Sequence, residues 1–216
     1  AIQMASGPNV QANLQEASRL IELAAATGAR IIALPEYFCL MGMRDADKVK
    51  AREKDGSGPV QDFLAAEARR HKAWIVGGTV PLECEDPGRV RNACLVFDGD
   101  GRRVARYDKI HLFGFSKGAE RYDEAATIEP GREVVTFDSP CGKVGLSVCY
   151  DLRFPELFRA MGEVDLIVLP AAFTYTTGRA HWETLLRARA IENQCYVLAS
   201  AQGGVHPSGR RTYGDS

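Results

Sequence analysis

No apolar run in this chain reaches the ~18 residues that would span a bilayer. Neither charge sign dominates. The 27 Lys and Arg stand against 28 Asp and Glu, so nothing favours nucleic acid or an anionic membrane as a partner. None of the six cysteines forms a C-x-x-C pair, which argues against zinc and against a disulfide framework and favours a reducing cytoplasm. The chain has no G-x-G-x-x-G, no P-loop, no H-E-x-x-H and no G-x-S-x-G. Nucleotide, hydride, zinc and serine-elbow chemistry therefore lose support, and no metal or cofactor is expected. Residues Ala1-Ile2-Gln3-Met4 have no basic start and no small-residue cleavage site, so they do not read as a signal peptide.

What is present is an ordinary globular composition, 45% apolar over 216 residues, enough for one α/β domain with a sizeable core. The expected organisation is a single domain over 1–216, incomplete at both ends. Two segments share a pattern of strand, helix, strand ending in Leu-Pro, helix, strand. The first runs through Ala1–Met4, Asn9–Thr27, Ile31–Leu34, Val60–His71 and Trp74–Val80. The second runs through Val144–Val148, Pro155–Met161, Leu166–Leu169, His181–Asn193 and Tyr196–Ala201. Leu14, Ala17, Ile21 and Ala24 recur at helical spacing, with Asn9 as a cap and Gly28 as a stop. Short, continuously apolar strands point to sheets covered by helices. Two hairpins lie between, Asn92–Phe97 with Arg103–Tyr107 and Val134–Asp138 with Lys143–Val148, and the stretch from Lys109 to Gly131 reads as long and irregular.

Ligands of helix-covered sheets bind beyond the carboxyl ends of strands. Three predicted strands end in reactive groups: Glu36 after Leu34-Pro35, Lys109 after Tyr107-Asp108, and Cys149 after Val148. Pro155 suits a helix start, so Cys149 falls on a strand-to-helix turn. A nearby helix N-terminus would lower the thiol pKa, and backbone N–H groups there can hold an oxyanion. The competing reading of Cys149 is a small buried hydrophobe, and the local context leaves the two even. Glu36 could equally be a surface carboxylate, and Lys109 taken alone reads better as a snorkelling surface lysine. His111, His181 and His206 offer a rival Cys–His scheme, with His181 downstream of the thiol as that order requires.

Three segments together resemble the nitrilase superfamily of carbon–nitrogen hydrolases. They are Leu34-Pro35-Glu36-Tyr37-Phe38, Tyr107-Asp108-Lys109-Ile110-His111-Leu112 and Val148-Cys149-Tyr150-Asp151-Leu152-Arg153-Phe154-Pro155-Glu156. The resemblance implies a four-layer α-β-β-α sandwich with internal pseudo-symmetry and a Glu–Lys–Cys triad. Glu36 is then the general base, Lys109 the stabiliser of the tetrahedral intermediate and Cys149 the nucleophile. Glu124, seven residues before Gly131, matches a second family glutamate. Phe173, Thr176-Thr177-Gly178 and Ala180-His181-Trp182-Glu183 look like the deaminated glutathione amidase branch, which implies substrate contacts from Tyr150, Arg153, Phe173 and Thr177. The implied reaction takes a small carboxylate-bearing amide to acid and ammonia through a thioester. The alternatives are an ω-amidase acting on α-ketoglutaramate-like substrates and a non-catalytic scaffold on the same fold. Tyr150-Asp151-Leu152 departs from the Arg-rich segment of the carbamoylase branch. The family also implies a homodimer or higher homo-oligomer.

Overall fold

The computed structural model describes residues 1–118 and 120–216. Two β-sheets carry the chain. The first holds β1 (Ile31–Ala33), β2 (Trp74–Val76), β3 (Val80–Leu82), β4 (Arg91–Phe97) and β5 (Arg103–Asp108). The second holds β8 (Thr136–Ser139), β9 (Gly142–Leu146), β10 (Leu166–Ala171) and β11 (Tyr196–Ala201), in the order β11-β10-β9-β8. The β1–β2 pair is parallel, as are β9–β10 and β10–β11, whereas the β4–β5 and β8–β9 hairpins are antiparallel.

Helices cover the outer faces. In α1 (Val10–Ala26) Asn9 caps the Ala12 N–H, and Leu14, Ala17 and Ile21 form the buried stripe. This helix and α3 (Pro59–His71) pack on the first sheet; α2 (Asp47–Lys50) is a single turn in the long loop between β1 and α3. On the second sheet lie α4 (Pro155–Ala160) and α5 (Tyr175–Asn193). Side chains alternate along the first-sheet strands. Ile32, Leu34, Ile75 and Leu95 join the α1–α3 core, while Ala33, Val76, Cys94 and Val96 join the core that includes Val144, Leu146 and Val168 of the second sheet. The Trp74 and Phe137 rings stack at 5.9 Å, joining β2 to β8. Both faces of each sheet are therefore buried, giving the α-β-β-α sandwich.

Several expected elements differ in the structure. Ala1–Met4 is not a ladder strand. It is an extended tie in which the Ile2 N–H donates to Ala33 and the Met4 N–H to Ala201, linking the two sheets. The expected strand Trp74–Val80 is two strands, β2 and β3, which share one edge of β4. The break is at Gly77-Gly78, where Gly78 has φ +51° and a Cβ would lie 2.1 Å from the Pro35 carbonyl oxygen. That contact lets the loop carrying Glu36 lie against the strand break. The helix expected from His181 starts six residues earlier, at Tyr175, because polar Thr176-Thr177-Gly178 hides its first turns from the apolar pattern. Strand β9 ends at Leu146 rather than Val148, although the Ser147 N–H still bonds Val168.

The stretch from Lys109 to Gly131 has more order than expected. It contains a hairpin, β6 (Gly114–Lys117) with β7 (Glu120–Asp123), and a 3-10 turn at Glu124–Ala126. Ala119 lies outside the described residues. A last hairpin, β12 (Gly204–Val205) with β13 (Arg211–Thr212), follows β11. Among the described residues no helix is long and apolar enough to cross a membrane.

Candidate active site

The three strand ends converge. Lys109 Nζ lies 2.9 Å from Glu36 Oε1 and 2.7 Å from Glu124 Oε2. The Lys109 and Glu36 side chains are fully buried. Asn92 Nδ2 donates to Glu36 Oε1 at 2.9 Å, and the Phe113 N–H donates to Glu124 Oε2 at 2.8 Å. Tyr37 Oη donates to Glu124 Oε1 at 2.9 Å. Lys109 is itself held by its backbone, whose N–H bonds Asn92 and whose carbonyl accepts from Gly131. At Gly131 a Cβ would stand 2.1 Å from the Asp108 carbonyl oxygen, so a side chain there would push Lys109 away.

Burial works against charge on Lys109, but Glu124 and then Glu36 outweigh it and hold its pKa above the ordinary lysine value. Burial likewise opposes the Glu124 carboxylate, and Lys109 overcomes it, leaving its pKa lowered. The ammonium is thus shared by two carboxyl groups, Glu36 fully buried and Glu124 nearly so. Glu36 Oε2 is buried without a hydrogen-bond partner, so this oxygen remains able to take a proton.

Cys149 sits at the end of the β9 run in the left-handed region, φ +51°, and opens a 3-10 turn, Cys149–Arg153. Such a conformation in a non-glycine residue costs about 1–3 kcal/mol and persists only where its surroundings enforce it. Asp151 supplies that enforcement. Its Oδ2 accepts from the Val148 N–H at 2.8 Å and from Tyr107 Oη at 2.7 Å, and its Oδ1 accepts from the His111 N–H at 3.0 Å. The expectation of a lowered thiol pKa is overturned. Burial and then Glu36 push the Cys149 thiol well above its ordinary value, with Lys109 pulling the other way. The turn is one short 3-10 segment, too little helix to outweigh desolvation and a neighbouring carboxylate. The resting thiol is therefore protonated at neutral pH, and an attack by it requires a base.

Cys149 and Glu124 line a narrow cavity, about 250 Å³ of empty space, together with Tyr150, Arg153, Phe173 and Thr177. The four substrate-contact residues expected from sequence are thus on its wall. Arg153 lies over the Phe173 ring at 5.5 Å and the Tyr150 ring at 5.9 Å. No histidine lines this cavity. His111 faces Asp151, His181 faces Arg153, and His206 faces Ser6 and Thr212. Among the described residues no group of three His, Cys, Asp or Glu side chains is arranged to hold a metal ion.

Sequence reading missed Asn92, Tyr37, Asp151 and Arg210. The last lines the thiol cavity from the β12–β13 turn. Asn92 carried a signal in hindsight: a polar amide inside an otherwise apolar strand needs a buried partner. Arg210 carried none, since Arg210-Arg211 near a turn reads as surface charge.

Beneath a helix-covered double sheet, a thiol, an ammonium and two carboxylates thus lie beside one cavity. The carbon-nitrogen hydrolase family model matches residues 1–216, and the chain belongs to that family. The chain is 42% identical over 218 residues to the deaminated glutathione amidase of Yersinia enterocolitica, covering 99% of this chain and 76% of that protein. It is 38% identical over 203 residues to the omega-amidase NIT2-B of Xenopus laevis, covering 93% and 72%. Among solved structures it is similar to Saccharomyces cerevisiae Nit3, a member of branch 10 of the nitrilase superfamily, with TM-score 0.86, 31% identity and coverage of 99% and 78%. The Caenorhabditis elegans NitFhit protein is similar with TM-score 0.87 and 38% identity over all of this chain and 53% of that one. The protein is an amide-hydrolysing enzyme of the nitrilase superfamily.

Proposed function

We propose that Cys149 is the nucleophile of this amidase, with Glu36 its general base. The thiol proton passes to Glu36 as sulfur bonds to the amide carbon. Lys109 and the Tyr150 backbone N–H stabilise the resulting oxyanion. The C–N bond breaks as Glu36 returns the proton to the leaving nitrogen, leaving a thioester. Glu36 then takes a proton from water as its oxygen attacks the thioester carbon, and the second collapse returns that proton to the sulfur. Glu124 positions Lys109 and shuttles protons. Arg153 takes a substrate carboxylate through two parallel hydrogen bonds, and Phe173 and Thr177 shape the acyl pocket. The observation that supports this most is the buried Lys109 shared between two carboxylates beside a buried thiol. Such a costly arrangement has little use as core packing.

The substrate is a small carboxylate-bearing amide, with deaminated glutathione, named for the Yersinia relative, as the leading member. In that compound the amide nitrogen belongs to the cysteinyl residue. Its products are an acid and an amine, and the acid-and-ammonia products expected from sequence apply to primary amides alone. A second reading, α-ketoglutaramate-like primary amides, draws on the NIT2-B likeness and the narrowness of the thiol cavity. We read residues 1–216 as one domain that assembles as a homodimer or higher homo-oligomer. A cytoplasmic location is supported by six cysteines that are all unpaired.

The test is product release from a panel of primary and secondary ω-amides by the wild type and Cys149→Ala. The variant should fold normally and lose turnover by roughly three orders of magnitude or more. Retained amide hydrolysis in it would overturn the nucleophile assignment.

A further inference from the structure

The proposed mechanism leaves Arg210 without a task. Its Nη2 donates to the Ala172 carbonyl at 3.0 Å, its Nη1 reaches only Met41 Sδ at 4.0 Å, and its Nε is buried without a partner. The guanidinium is flanked by the Tyr122 and Tyr37 rings, 5.3 and 6.0 Å from their centroids. Among the described residues no carboxylate forms an ion pair with it. Glu36 and Glu124 favour its charge from a distance, yet its donors are not spent on them, and a planar fork with donors to spare matches a carboxylate.

Arg210 also joins two cavities. One is the narrow cavity of Cys149. The other is a broader basin, open to solvent. The basin wall is basic: Arg44, Lys48, Arg121 and Arg210 stand against Asp45 alone. Asp45 is already engaged with Lys48 at 3.6 Å. A primary amide, whose leaving group is ammonia, has no use for such a space. A secondary amide puts its amine half somewhere beyond the thiol, and the basin past Arg210 has both the room and the charge for an anionic one.

We propose that the basin is the leaving-group subsite and that Arg210 anchors the carboxylate of the amine half. The preferred substrate is then a secondary amide that is anionic on both sides of the scissile bond. This rests on the hydrolysis proposed above, with Arg153 on the acyl-side carboxylate.

The experiment compares three amides of one acyl half: glutaramate, N-isobutyl glutaramate and N-carboxymethyl glutaramate. The two N-substituents have the same number of heavy atoms and differ in charge. The wild type should favour the carboxymethyl over the isobutyl amide by about 10–100-fold in kcat/KM. Arg210→Gln should bring that ratio to near one, chiefly through KM. Because both substrates form the same thioester, damage to the thiol's reactivity cancels in the ratio. If Arg210→Gln does not fold, Arg210→Lys reads the same quantity, and loss of the fork should cut the ratio several-fold. A wild type with no preference for the carboxymethyl amide, or a variant with an unchanged ratio, overturns the proposal and leaves the amidase reading standing. Failure of the wild type to cleave any of the three overturns both.

Discussion

The two halves of the molecule each break a buried strand with a left-handed residue, Tyr37 at φ +58° after β1 and Cys149 at φ +51° after β9. The two breaks are put to opposite use. The first is closed. Tyr37 is tied by its N–H to Thr79 Oγ1 at 2.9 Å and by its hydroxyl to Glu124, and the adjacent Glu36 is fully buried against Asn92 and Lys109. The second is open on one side. Asp151 pins the backbone from within, while Cys149 faces the cavity. Charge is held where water does not reach, and the nucleophile is placed where a substrate can. A second thiol sharpens the contrast. Cys94 is just as deep, and burial alone raises its pKa, with no lysine or carboxylate beside it. Depth makes a thiol inert; the closed strand end beside it is what would make Cys149 usable.

The largest effect is expected on the closed side. Lys109→Met leaves Glu36 and Glu124 buried without their shared cation, and should cost about 3–5 kcal/mol in urea unfolding along with turnover. The sign of its pH dependence follows from the shifts. Glu124 has a lowered pKa, so its contribution is present above about pH 4.3 and fades as pH falls through the lowered value. Lys109 has a raised pKa, so its contribution is present below about pH 10.4 and fades as pH rises through the raised value. The deficit of the variant should therefore be greatest on the broad plateau between. A deficit under about 1 kcal/mol there would mean that the pairing is solvated and the strand end is not closed.

The open side gives a smaller effect. Asp151→Asn replaces one of two fully engaged oxygens with an NH₂ group, which would face either the Val148 N–H and Tyr107 or the His111 N–H. A loss of about 1–3 kcal/mol is expected, with kcat reduced on the order of 10-fold and KM nearly unchanged as the thiol drifts from position. A normal kcat would show that the left-handed turn holds itself without Asp151.

Much of this is legible in the sequence. Apolar strands with Leu-Pro ends and a capped amphipathic helix suffice for a helix-covered sheet, and three reactive residues at strand ends suggest one rim. What stayed hidden has physical reasons. The break of β2 from β3 at Gly77-Gly78 is masked because Ile75 before it and Val80 and Leu82 after it pack into the same core. The direction of the Cys149 shift depends on burial and on Glu36, which lies 113 positions earlier in the chain. Arg210 is a surface-like residue in a surface-like turn, and only the fold carries its guanidinium to the thiol cavity.

The most direct test of the central claim is intact-protein mass spectrometry after rapid acid quench of enzyme mixed with a cleaved ω-amide. A transient mass increase equal to the acyl half is expected in the wild type, absent from Cys149→Ala and formed far more slowly in Glu36→Gln, where the base that takes the thiol proton is gone. Steady hydrolysis by the wild type with no such adduct at any quench time, and no hydroxamate when hydroxylamine is added to intercept a thioester, would contradict the nucleophile assignment.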